Sequence, residues 1–210
     1  MAIQHYTQIA DLFRYPSVES ALHIEQCLDI VATNYPLATD MLLPMQKHIN
    51  TKTLTELQEY YIKTFDVQAV CFLDIGYVLF GEDYKRGDFL VLIKKEQAKV
   101  ENDCGVELAD HLPNLLSLLP KMKDAELREE LVISLFIPAL EEMVIQFKEI
   151  KNVYCELLEG LIKLLQTDFT SEKYTVYKVN SENDDPFLKP YSCGIDNSLI
   201  EKKQPKTVLL

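Results

Sequence analysis

Apolar residues return every three or four positions through most of residues 5–166, and that spacing leaves a chain few options other than packed helices. In SALHIEQCLDIV, Ala21, Ile24, Leu28 and Val31 share one stripe, and Leu54, Leu57 and Tyr61 do so in TLTELQEYY. Thr53 and Glu56 flank the start of that second stripe as a capping box. Later stripes run through Phe89, Leu92 and Ile93, through Leu127, Leu131 and Leu135, and through Tyr154, Leu157, Leu161 and Leu165. Proline punctuates them at 16, 36, 44 and 138, and Pro138 is expected to kink or break the helix it meets. With only six glycines in 210 residues, the expected fold is all-α, with no parallel-sheet signal.

Three stretches are harder to place. AVCFLDIGYVLFG, apolar on most sides apart from Asp74, reads as one buried helix ending near Gly81. The FLVLI run at 89–93 has the residues of a short strand, but its helical stripe and its Lys, Glu and Gln flanks favour helix. CGVELADHLP reads as a loop feeding a helix from NLLSLLPKM, with Asp110 as N-cap and Pro113 in the first turn. After about residue 167 the character changes. KYTVYKV has the composition of a strand with no evident partner, and the remainder mixes acids, Pro and Ser without period. The expected organisation is a helical domain over 1–166 and an extended or partly disordered extension over 167–210.

The formal charge is −12, and residues 1–166 hold 15 basic against 26 acidic residues, a net −11. A body this acidic repels nucleic acid and anionic membranes and attracts basic peptides. Five scattered cysteines without a C-x-x-C pair suggest a reducing compartment. The N-terminus lacks the pattern of a signal peptide and no apolar run reaches membrane-spanning length, so the cytoplasm is the expected location.

Chemistry-bearing motifs are sparse. His5, His23, His48 and His111 are far apart, without H-x-x-x-H, H-E-x-x-H or Glu-x-x-His repeats, so no metal is expected. There is no G-x-S-x-G elbow, and Ser117 sits within a Leu-rich helical stretch. FGEDYKRGD has two glycines but no phosphate-cradling pattern; Gly81 suits a helix C-cap and Gly87 close helix packing. Asp110 beside His111 invites an acid–base reading, but adjacent side chains diverge. No catalytic residue and no cofactor is expected. The alternative, a metal-dependent or hydrolytic enzyme using Asp110 and His111, would need partners that converge only in the fold.

The order of motifs adds more. YYIKTFD (60–66), YVLFGEDYKRGDFLVLI (77–93), ELADHLP (107–113) and LLSLL (115–119) follow one another in a way that resembles the TorD/DmsD/NarJ superfamily of molybdoenzyme maturation chaperones. The resemblance is closest to its nitrate reductase assembly branch, covers roughly residues 8–166, and is strongest over 60–120. Phe65-Asp66, Arg86-Gly87 and Glu107 to Pro113 occupy the places of the family's motifs, with Ala109 where proline is usual.

What the resemblance implies is an all-helical, non-enzymatic cytoplasmic chaperone, monomeric or weakly dimeric. It would bind the N-terminal or twin-arginine-like segment of a molybdoenzyme catalytic subunit during molybdenum cofactor insertion, before docking or export. Glu107 and Asp110 would then meet client arginines, His111 would add a hydrogen bond, and Pro113 would belong to the same loop. Tyr61, Phe65, Tyr77 and Phe80 would line the apolar part, unless they are core. Asp66 and Arg86 would touch the client or pair with each other. A helical scaffold with no part in cofactor insertion is the remaining alternative.

Overall fold

In the computed structural model, residues 3–35, 39–148 and 150–178 are described. The apolar stripes become helices α1 (His5–Leu12), α2 (Ser20–Asn34), α3 (Leu43–Thr51), α4 (Leu54–Phe65) and α5 (Ile75–Phe80). They continue as α6 (Tyr84–Lys99), α7 (Leu112–Leu118), α8 (Ala125–Leu131), α9 (Ile137–Phe147) and α10 (Val153–Asp168). No strand occurs among the described residues, which confirms the all-α reading; one isolated bridge pairs Asp74 with His111. FLVLI lies inside α6.

The capping box forms as expected. Glu56 N–H donates to Thr53 Oγ1 at 3.3 Å, and Thr53 N–H donates to Glu56 Oε2 at 2.9 Å. Those bonds, with Lys52 beside them, pull the Glu56 carboxyl down to about 2. At the start of α10, Asn152 accepts from Tyr154 N–H at 2.9 Å and donates to Thr64 Oγ1 at 3.0 Å, tying that helix to α4.

Around these caps one core forms, in which α1 packs on α2 and α7, and α9 packs on α10 and α5. Tyr6, Phe13, Ile24, Phe136 and Phe147 are wholly or almost wholly enclosed. One polar cluster is sealed beside it. The Asp168 carboxylate accepts from Tyr35 Oη at 2.6 Å and Tyr6 Oη at 2.9 Å, with His5 Nε2 at 3.2 Å. Burial alone would raise this carboxyl, but the His5 imidazole beside it and the bonds from Tyr35 and Tyr6 outweigh that and hold the group below its ordinary range. The cluster fastens the two ends of the helical body to each other.

Several local expectations need correcting. The apolar stretch 69–81 is not one helix: residues 66–74 form a loop, and helix starts at Ile75, because Asp74 takes an extended conformation at the N-cap. Gly81 does terminate it, at φ +58°. Gly87 has open space around its Cα and serves no close packing. Before Pro138 the chain neither stops nor runs on as α-helix. It forms a π-helical turn over Val132–Phe136 and resumes as α9 with the proline in its first turn, where the missing N–H costs little.

KYTVYKV forms no ladder over its described part. The segment 169–178 instead lies along the body, with Phe169 buried, Tyr177 N–H donating to Ser134 O at 2.9 Å, and the Tyr177 ring edge-on to Phe80. The rest of the extension, 179–210, lies outside the described residues.

Candidate functional site

A cleft of about 790 Å³ opens between the end of α4, the 72–74 segment, the 104–107 loop and the start of α7. Tyr61 and Phe65 reach it from α4 as largely buried rings in edge contact at 5.1 Å. Exposed Tyr15 stands edge-on to Tyr61 at 5.5 Å, and exposed Phe72 and Val106 complete the apolar surface. Four acidic or imidazole groups share this space: Asp66, Asp74, Glu107 and His111. Among the described residues one cation faces them, Arg14, and it is already engaged with Asp11 at 3.1 Å and Ser117 Oγ at 3.4 Å.

The field is felt by Tyr61. Burial, and then the Glu107, Asp66 and Asp74 carboxylates, push its phenol above the ordinary range, and its hydroxyl donates to Phe13 O at 3.2 Å. The cleft thiol, Cys104, is likewise pushed up by burial and by Asp103, the opposite of what a thiolate nucleophile requires.

The two halves of the Asp110-His111 pair part company. Asp110 is fully buried and does not line the cleft, so it neither caps α7 nor stands open to a partner. His111 is the α7 N-cap, and its side chain makes no capping bond. Asp110 caps α5 instead, from 35 positions downstream. Ile75 N–H donates to Asp110 O at 3.1 Å, and Gly76 N–H donates to Asp110 Oδ2 at 3.0 Å. With Leu112 N–H bonded to Leu73 O at 2.9 Å, residues 73–75 and 110–112 are clamped together.

Gly76 is required by this closeness. A Cβ there would lie 2.6 Å from Asp110 Oδ2 and 2.9 Å from Phe89 Cδ1. Burial, then repulsion from Asp74, raise the Asp110 carboxyl despite the Gly76 N–H and nearby Arg86.

His111 turns the other way and meets Asp74, Nδ1 to Oδ1 at 3.1 Å, and the Asp74 side chain makes no cap bond to its own helix. The acid partner of the imidazole is therefore 37 residues away in sequence rather than adjacent.

Of the ten residues singled out by sequence, Tyr61, Phe65, Asp66, Glu107, His111 and Pro113 line this cleft. Tyr77, Phe80, Arg86 and Asp110 do not. Phe80 packs on Phe89 and Tyr177, while the Arg86 guanidinium lies 5.1 Å over the Tyr77 ring. Asp66 and Arg86 form no ion pair.

Sequence reading missed Asp74, Phe72, Tyr15 and Arg14, and it missed what holds the 104–110 loop. Buried Asn114 donates to Cys104 O at 3.2 Å and Leu108 O at 3.0 Å, and Gln97 donates to Ala109 O at 3.1 Å. Asn102 joins Gln97 Oε1 at 2.5 Å to Asn114 O at 3.2 Å. Polar residues at helix positions otherwise committed to the core were the available signal.

Among the described residues, no group of three or more His, Cys, Asp or Glu is placed to hold a metal ion, and no helix is long and apolar enough to cross a membrane. Neither a scan of protein-family models nor a search of curated proteins finds a match for this chain.

Proposed function

We propose that this protein is a maturation chaperone for a molybdopterin oxidoreductase of the nitrate reductase type, acting in the cytoplasm without catalytic activity. It binds the arginine-bearing N-terminal segment of the catalytic subunit and keeps that subunit receptive to its molybdenum cofactor until assembly. The observation carrying this reading is convergence. Two motifs on which the family resemblance rests lie about forty residues apart in sequence and send residues into one cleft, Phe65 and Asp66 from the first and Glu107, His111 and Pro113 from the second. Its acids and rings suit a segment that combines guanidinium groups with apolar side chains.

The roles divide by placement. Asp66 and Glu107 offer exposed carboxylates to client arginines, while Asp74 and His111 line the same cleft as a pair. Tyr61 and Phe65 supply rigid apolar surface, and Asp110 positions Asp74 without touching the client. Titration calorimetry with a twin-arginine peptide from a catalytic subunit tests this: Glu107→Gln and Asp66→Asn each weaken binding by roughly tenfold, the scale of one charge-assisted contact. Failure of every such peptide to bind the wild-type protein removes the reading. Co-expression separates it from a plain scaffold, since only a chaperone raises the molybdenum content of its client.

A second reading has one observation in its favour, the Asp74–His111 pair at 3.1 Å facing an open cleft. An acid-oriented imidazole is half of a hydrolytic site. Turnover of a model ester that is lost in Asp74→Asn would support it.

A further inference from the structure

Beside the acidic cleft lies a second hollow, of about 340 Å³, between Ala69–Phe72, α5 and α9. Its lining is apolar, from Val70, Val78, Met143 and the Tyr77 ring, apart from Glu142 and Gln146, which bond to each other at 2.6 Å. Phe72 lines both spaces. It is 43% exposed, stands edge-on to Tyr77 at 5.0 Å, and sits on a loop held where Val70 and Cys71 N–H both donate to Thr64 O. An exposed ring fixed on a ridge between two hollows of opposite character is a dividing wall.

We infer that one bound segment crosses this ridge, its cationic residues in the acidic cleft and its aliphatic residues in the second hollow. The inference rests on the peptide-binding reading above and adds the register of the occupant. The charge pattern argues for this occupant: three carboxylates face the first space, and the second holds a carboxylate already bonded within its own helix. A guanidinium gains more in the first, where three carboxylates converge against one in the second, and a leucine side chain loses water in either but meets the mostly apolar lining in the second. Tyr77 thereby acquires a role as the second hollow's wall rather than the first's.

The test uses the full chain and a synthetic peptide bearing two arginines followed by a leucine-rich stretch. With a photoreactive benzophenone at a leucine position, adducts are expected on residues 69–78, and with the label beside the arginines, on 104–113. Ala69→Trp, which fills the second hollow, weakens the peptide about tenfold, the scale of one buried aliphatic side chain. It leaves unchanged the weaker binding of a peptide whose leucines are serines, whereas Glu107→Gln weakens both.

Equal affinity of the leucine and serine peptides for the wild type, or adducts of the leucine label confined to 104–113, overturns the inference while the peptide-binding reading stands. No binding of either peptide overturns both. Sedimentation adds the last arm: a dimer dissociated by Ala69→Trp, with peptide affinity intact, assigns the hollow to a second copy and overturns the crossing.

Discussion

At the scale of single residues, the most constrained position is Gly76. Its N–H must approach the Asp110 carboxylate, and a methyl group placed 2.6 Å from that oxygen forces one of them to move. Gly76→Ala is expected to destabilise the fold by about 1–3 kcal/mol, read from the urea midpoint at unchanged slope. Asp110 sets a pH dependence whose sign follows from its raised carboxyl. The folded state holds that proton more tightly than the unfolded state. Its contribution is therefore present below the ordinary carboxylate range and lost as pH rises through the folded value.

Asp168 is shifted the other way, so its contribution is present above the ordinary range and lost on acidification. Comparing urea midpoints from pH ~4 to ~7, Asp110→Asn should lose less stability than wild type on the alkaline side. Equal slopes would show that Asp110 carries no excess cost when ionised. The sequence showed an acid beside an imidazole here but not that one points into the core and the other into the cleft. Main-chain geometry alternates neighbouring side chains, while which side is core depends on what packs there.

At the scale of elements, the 104–110 loop matters most, because Glu107 is held by it and it has no secondary structure of its own. Its carbonyls find donors in Asn114 on α7 and Gln97 on α6, and Asn102 between those helices donates to both of these residues. Asn114→Ala would remove the side-chain donor from the part-buried Cys104 and Leu108 carbonyls. The expected cost is about 1–3 kcal/mol in unfolding free energy, together with weakened peptide binding even though Asn114 does not line the cleft. Loss of stability without loss of binding would mean that the loop keeps its shape by other means.

Helices α2, α4, α6 and α10 were legible from period and caps alone, since a 3.6-residue repeat and a Thr-x-x-Glu box are local properties. The loop at 66–74 was not. Its apolar residues line the faces of two hollows, and the run looked like a buried helix because burial and helicity give the same composition.

At the scale of the molecule, a net charge of −11 over residues 1–166 surrounds an acidic cleft. Long-range attraction then adds to local contacts. Association of an arginine-bearing peptide, followed by stopped-flow fluorescence, should slow on the order of tenfold between ~0.05 and ~0.5 M salt, with dissociation less affected. Rates independent of salt would reduce the acidity to a solubility device.

The sequence by itself determined the all-α class, the caps, and the acidity that turns the molecule toward basic partners, since each follows from period, neighbouring residues or summed charge. It also marked six of the residues that line the cleft, through motifs in their order along the chain. Only the tertiary structure decided that Asp74, absent from every motif reading, is the partner of His111, that Asp110 is a cap for a distant helix, and that Phe72 divides two hollows. Those facts depend on segments some forty residues apart meeting at one place, and the energy of that meeting is set by the whole core rather than by local pattern.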